Sequence, residues 1–225
     1  MADKYERFVA AFLRLNAYFT VPNFIIHAGD DPTRISSGQV GNYTETDILA
    51  LRMPYSQEVT GTLKIANYPG LVSGAGDRMD IVLAEVKSRK NNKPNGVWLT
   101  GTPDPSIIYM VRFIGCHDDA QVPRVAQALA TAYRFEDARS RYRYIVFSAE
   151  PNEHYLSKGV EYITFRQAID FIVTIRGQCW IEANIGVASC HHQWDDLLKD
   201  ILGIANDHSR TIEDRADEIE AFLAT

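Results

Sequence analysis

Asp47 in TETDILALR, and Glu85 with Lys87 in DIVLAEVKSR, place two carboxylates and one ammonium on two apolar, strand-like runs. A buried strand does not carry unpaired charge, so these groups need either solvent or a partner. Side chains alternate along a strand, so residues 81, 83, 85 and 87 share one side. Two carboxylates offer the hard oxygen ligands that suit Mg²⁺ or Mn²⁺, and the backbone carbonyl of Val86 is a third candidate ligand. A cation held there would activate a water and screen a phosphate. The lysine would orient that water or stabilise charge building on phosphorus. The plainer reading is that the strand surfaces at this point and its charges are solvated or paired across neighbouring strands.

The elements that must position these residues follow from periodicity. KYERFVAAFLRLNAYF (4–19) spaces Tyr5, Phe8, Val9 and Phe12 as one helical face. VPNFIIH reads as a short strand, 29–42 as loop, and TETDILALR (44–52) as the next strand. The Gly- and Pro-rich 53–79 is a long connection with at most a minor hairpin, and IVLAEVK is the third strand. Beyond a polar stretch at 88–106, SIIYMVRFIG reads as a strand and VPRVAQALATAYRFEDA as a helix opened near Pro123. RYRYIVFSA and VEYITF are strands, and RQAIDFIVTIR, WDDLLKDILGIA and TIEDRADEIEAFLA are helices. This order predicts an α/β fold: a mixed central sheet flanked by helices over 1–176, with a C-terminal helical extension, 177–225, packed on that core. If TETDILALR and DIVLAEVKSR pair antiparallel with Arg52 opposite Asp80, the constant register sum puts Asp47 opposite Glu85.

At this point the residues resemble the PD-(D/E)xK, or restriction-endonuclease-like, nuclease superfamily: a helix, a strand bearing an Asp, a strand bearing Glu-x-Lys, then further helix and strand. The match runs from about residue 4 to 150, with Asp47, Glu85 and Lys87 in the motif positions. It implies a restriction-endonuclease-like core and a metal-dependent nuclease using Mg²⁺ or Mn²⁺. It also implies that Glu6, on the first helix, takes the role of the helix acid that many members hold near the metal. Thr46 stands where the family pattern has proline, and the 38 positions from Asp47 to Glu85 require 53–79 to loop out. A second insertion, with Pro94, Trp98 and Pro103, follows the lysine. Some members of the superfamily have lost catalysis, which leaves a silent domain that binds nucleic acid or a protein as the alternative.

Asp80 is five residues from Glu85, about 16 Å along the strand at roughly 3.3 Å per residue and on the opposite face, so it cannot share the cation. Asp77 lies in the connection. SGAGDRM lacks the third glycine of a dinucleotide loop and no strand precedes it, so it reads as a turn. CHDD at 116–119 and CHHQWDD at 190–196 contain metal-ligand types without a second ligand pair at matching spacing, which argues against zinc. No serine-hydrolase elbow or P-loop occurs.

With 225 residues and 46% hydrophobic content the chain can bury a substantial core, and no run approaches the roughly 18 apolar residues of a membrane span. Three dispersed cysteines suit reduced thiols, and the expectation is a soluble, cytoplasmic protein. Residues 195–225 hold nine acids and three bases, which accounts for the whole net charge of −6 and leaves 1–194 neutral. Within that neutral part Arg89, Lys90 and Lys93 are placed to hold a phosphate backbone, with DNA favoured over RNA. A second basic run at Arg134, Arg139, Arg141 and Arg143 fits a solvated surface as well as a phosphate-binding one. The acidic C-terminal helices read as a solvated face, and they are candidates for a protein partner or a second copy of the chain.

Overall fold

The computed structural model describes residues 3–26, 44–60, 63–88, 92–176 and 195–225. Helix α1 (Lys4–Leu15) starts where the Asp3 side chain accepts the Tyr5 N–H, and it buries Phe8, Val9 and Phe12 as the periodicity predicts. It ends at Asn16, whose side-chain amide donates to the Phe12 carbonyl at 2.8 Å and whose Oδ1 accepts the Tyr68 N–H at 2.6 Å. That single buried residue both stops the helix and anchors the long connection against it.

Strands β1 (Phe19–Ile26), β2 (Thr44–Arg52), β5 (Met79–Lys87), β6 (Arg134–Glu136), β7 (Ser140–Ser148) and β8 (Glu161–Thr164) form one mixed sheet, while β3 (Val59–Thr60) and β4 (Leu63–Lys64) make a separate hairpin. Across the sheet the order is β1, β2, β5, β7 and then β6, with β8 also on β7. β2 runs antiparallel to β1 and β5, and β7 runs parallel to β5. Both β6 and β8 lie on the outer edge of β7, β6 along its start and β8 along its end. A short helix α2 (Pro69–Val72) lies in the 53–79 connection.

The sheet separates two cores by strict alternation. Ile48, Ala50, Val82 and Ala84 face α1 and the later helices, while Leu49, Ile81, Leu83 and Tyr144 face the helices of the β5–β7 crossover. Those crossover helices are α3 (Pro105–Ile114) and α4 (Val122–Ala132), preceded by a 3₁₀ turn at Gly96–Leu99. On the α1 side, beyond a one-turn helix α5 (Glu153–Leu156), lie α6 (Phe165–Phe171), running into a π-turn at Ile172–Arg176, then α7 (Asp196–Ala205) and α8 (Ile212–Ala224). Leu197, Ile201, Ile219 and Leu223 of α7 and α8 share the core of α1. Asp195 caps α7 and receives the Arg7 guanidinium of α1, with Nε to Oδ2 at 3.1 Å. Part of the acidic face of α8 is directed at the protein itself: Glu213 and Asp217 meet Arg166 of α6 at 2.9 and 2.7 Å.

The first helix ends at Leu15, short of the expected Phe19, where β1 begins, and the short helices α2 and α5 are not expected from the sequence; two further elements change type or extent. SIIYMVRFIG is helix α3, not a strand. Asp104 caps it, accepting the Ser106 N–H at 2.8 Å, Pro105 occupies its first turn, and Gly115 ends it at φ +73°. Ile107, Met110 and Val111 then fall on one buried face. Terminal signals and a 3.6-residue period here outweigh β-branched content. The helix expected to run through RFEDA instead stops at Tyr133, which sits in the left-handed region at φ 58°, and Arg134–Glu136 become β6.

The second basic run is corrected in part: Arg134 and Arg139 are exposed, but Arg141 and Arg143 are neither solvated nor free for phosphate. Both are buried on the α1 side against Asp80, which has no exposed surface. Arg141 grips Asp80 with Nε at 2.9 Å and Nη2 at 2.7 Å, and Arg143 Nη2 lies at 2.9 Å. The Tyr18 hydroxyl donates to the same carboxylate. The two guanidiniums also cap the carbonyls of Leu71 and Ser73, tying α2 to the sheet. Burial alone would push Asp80 up, but its bonds to Arg141 and the charge of Arg143 outweigh it and hold the carboxyl below the usual range.

Candidate active site

β5 is central, hydrogen-bonded to β2 on one edge and β7 on the other, so its end is held from both sides. Arg52 pairs with Asp80 and Ile48 with Ala84, the register supposed from the sequence. One step beyond that ladder Asp47 meets the end of β5: its Oδ2 accepts the Val86 N–H at 2.6 Å. Glu85 and Lys87 project from the same side of β5 and form an ion pair, with the Glu85 side chain 8% and the Lys87 side chain 26% exposed. The ammonium therefore sits where water enters, above a carboxylate that is nearly enclosed.

Asp47 feels this crowding. Burial raises its carboxyl; the Val86 N–H opposes the rise, while the negative charges of Glu85 and Glu6 add to it and Lys87 subtracts from it, leaving it at about 6. Glu6 lies in the first turn of α1 and acts on Asp47 through its charge. Asp80 is on the other face of β5 in its arginine network, as alternation requires.

Tyr144, which the sequence reading passes over, completes the surroundings of Glu85. It lies on β7 opposite Leu83, on the same face as Glu85, and its buried hydroxyl donates to Glu85 Oε2. Trp98, carried by the second insertion, stacks on the Tyr144 ring at 4.6 Å between centroids. Neither role has a local sequence signal, because both depend on parallel pairing between distant strands.

Comparison with models of protein families, with curated proteins and with solved structures finds no match. The site therefore stands on its own geometry.

Among the described residues no three His, Cys, Asp or Glu side chains are grouped to hold a metal. A cation at this site would rest on the Asp47 and Glu85 carboxylates, with backbone oxygen and water completing its shell. The donor set fits a hard divalent ion. Desolvation, with the negative charge of Glu85 adding to it, raises the Asp47 carboxyl, and a cation held by the two carboxylates would offset both effects. Of the residues expected to hold a phosphate backbone, Lys93 is exposed on the segment that follows β5, while Arg89 and Lys90 lie outside the described residues. CHDD carries no metal set: His117 is buried, with Nε2 at 2.9 Å from Ser140 Oγ, and Asp119 pairs with Arg112. Most of CHHQWDD lies outside the described residues, and SGAGDRM forms a turn with Gly74 at φ +76° and Gly76 at φ +58°. No helix among the described residues is long and apolar enough to cross a membrane.

Proposed function

We propose that this chain is a metal-dependent nuclease of the PD-(D/E)xK type that hydrolyses phosphodiester bonds, with DNA the favoured substrate and the cytoplasm its place of work. The observation that carries the reading is the convergence of Asp47, Glu85 and Lys87 at one half-buried strand end, in the register that makes the two carboxylates neighbours. Mg²⁺ or Mn²⁺, when bound, would supply Lewis-acid stabilisation and an activated water. Asp47 and Glu85 would hold the ion, together with the Val86 carbonyl. Lys87, paired with Glu85 and more exposed than it, is placed to meet the phosphate and offset charge that builds on its oxygens. Glu6 tunes Asp47 from α1, and Lys93, with Arg89 and Lys90, would position the backbone.

The test is cleavage of single- and double-stranded DNA and RNA with Mg²⁺, Mn²⁺ or chelator, by wild type, Glu85→Ala and Lys87→Ala. Cleavage that disappears in both variants and in chelator supports the reading. Salt-sensitive binding of nucleic acid without cleavage would replace it with a silent binding domain on the same fold.

A further inference from the structure

Glu85 is fixed on both of its oxygens. Lys87 takes Oε1, and the Tyr144 hydroxyl donates to Oε2. The phenol has a defined polarity, because its oxygen also accepts the backbone N–H of Asn95 at 3.4 Å, leaving its own proton for the carboxylate. The ring cannot swing away. Trp98 stacks on one side at 4.6 Å, and Tyr133 lies 6.4 Å off, centroid to centroid. The segment that brings Asn95 and Trp98 is itself pinned: Asn92 bonds the Glu150 carbonyl and the Asn152 side chain, and its carbonyl accepts the Tyr162 hydroxyl at 3.1 Å.

A short chain of donors, Asn95 N–H to Tyr144 O–H to Glu85 Oε2, therefore ends on one of the two acids. From this we propose that Tyr144 is a positioning residue for the site. It holds Glu85 in a single orientation by occupying Oε2, which leaves Oε1 to Lys87 and to a metal ion when one binds. The proposal rests on the metal-dependent reading above, and it adds that metal affinity is set in part by a tyrosine that touches neither metal nor substrate. Ligand-orienting partners of this kind are worth about 10- to 100-fold in affinity or activity.

The test is Mn²⁺ titration by calorimetry on the full chain for wild type, Tyr144→Phe, Glu85→Gln and the double variant. Tyr144→Phe keeps the stacked ring and deletes one oxygen, and it is expected to weaken Mn²⁺ binding by about 10- to 100-fold. The same change in the Glu85→Gln background is expected to do little, because the oxygen acts only through the carboxylate. A general packing defect would weaken binding equally in both backgrounds and would overturn the proposal. Trp98→Phe, which loosens the stack and keeps the phenol, should give a smaller loss of the same sign, and it decides the matter if Tyr144→Phe does not fold. Wild type that binds no Mn²⁺ sinks the nuclease reading, and this proposal with it. Wild type and Tyr144→Phe that bind equally sink only the role of Tyr144.

Discussion

Asp47→Asn isolates the electrostatics of the site with little change of shape. In the folded chain burial and the neighbouring acids raise the Asp47 carboxyl from 3.8 to about 6. At about 1.36 kcal/mol per pKa unit, ionising Asp47 costs the folded state about 3 kcal/mol relative to the unfolded chain. The folded carboxyl binds its proton more tightly than the unfolded one. The cost is therefore absent below about pH 4, grows between about pH 4 and 6, and is complete above that range. Asparagine keeps an oxygen for the Val86 N–H and carries no charge. The variant should be more stable than wild type by up to about 3 kcal/mol near about pH 8, with the gain vanishing near about pH 4. Urea unfolding across that range in chelator measures the difference. A variant that is less stable at the alkaline end, or a gain that does not depend on pH, would refute the reasoning.

Three further outcomes are expected. Mn²⁺ at about 100 times its dissociation constant should stabilise wild type by about 2.7 kcal/mol in thermal unfolding, and Asp47→Asn by much less, since one ligand is gone; equal shifts would remove Asp47 from the site. Arg141→Ala should cost about 3–5 kcal/mol in urea unfolding, because it leaves Asp80 buried with one guanidinium fewer. The folded Asp80 carboxyl lies below its ordinary range, so its contribution is present above about pH 4 and is lost on acidification, and the penalty of Arg141→Ala should shrink in acid. Gly115→Ala should cost about 1 kcal/mol, because φ +73° at the end of α3 strains any residue with a Cβ; a neutral result would place the strain elsewhere.

What could be read from the sequence was local. Asp47 and Glu85 could be brought together on one supposed register because β2 and β5 are antiparallel and patterned by alternation, so a single pairing fixes every other. The burial of α1 followed from spacing for the same reason. α3 was misread because Ile107, Ile108, Tyr109 and Val111 favour strands one by one, whereas Asp104 and Gly115 at its ends decide the outcome together. Arg141 and Arg143 looked like surface charge because their partner Asp80 lies some sixty residues away, on the parallel neighbour strand. Tyr144 escaped for the same reason, since no pattern within β7 marks which tyrosine will meet Glu85.

The parallel pairing of β5 with β7 also sets an order of events in time. β2 and β5 are both made before residues 88–139, and only after that whole crossover can β7 dock along the free edge of β5. Closing so long a loop is slow compared with forming neighbouring contacts. A chain emerging from the ribosome therefore carries its two carboxylates early, but on a strand with one open edge and with Glu85 lacking Tyr144. The acidic pair reaches its final arrangement only once β7 has docked, so a half-made or partly unfolded chain has the residues of the site without the site.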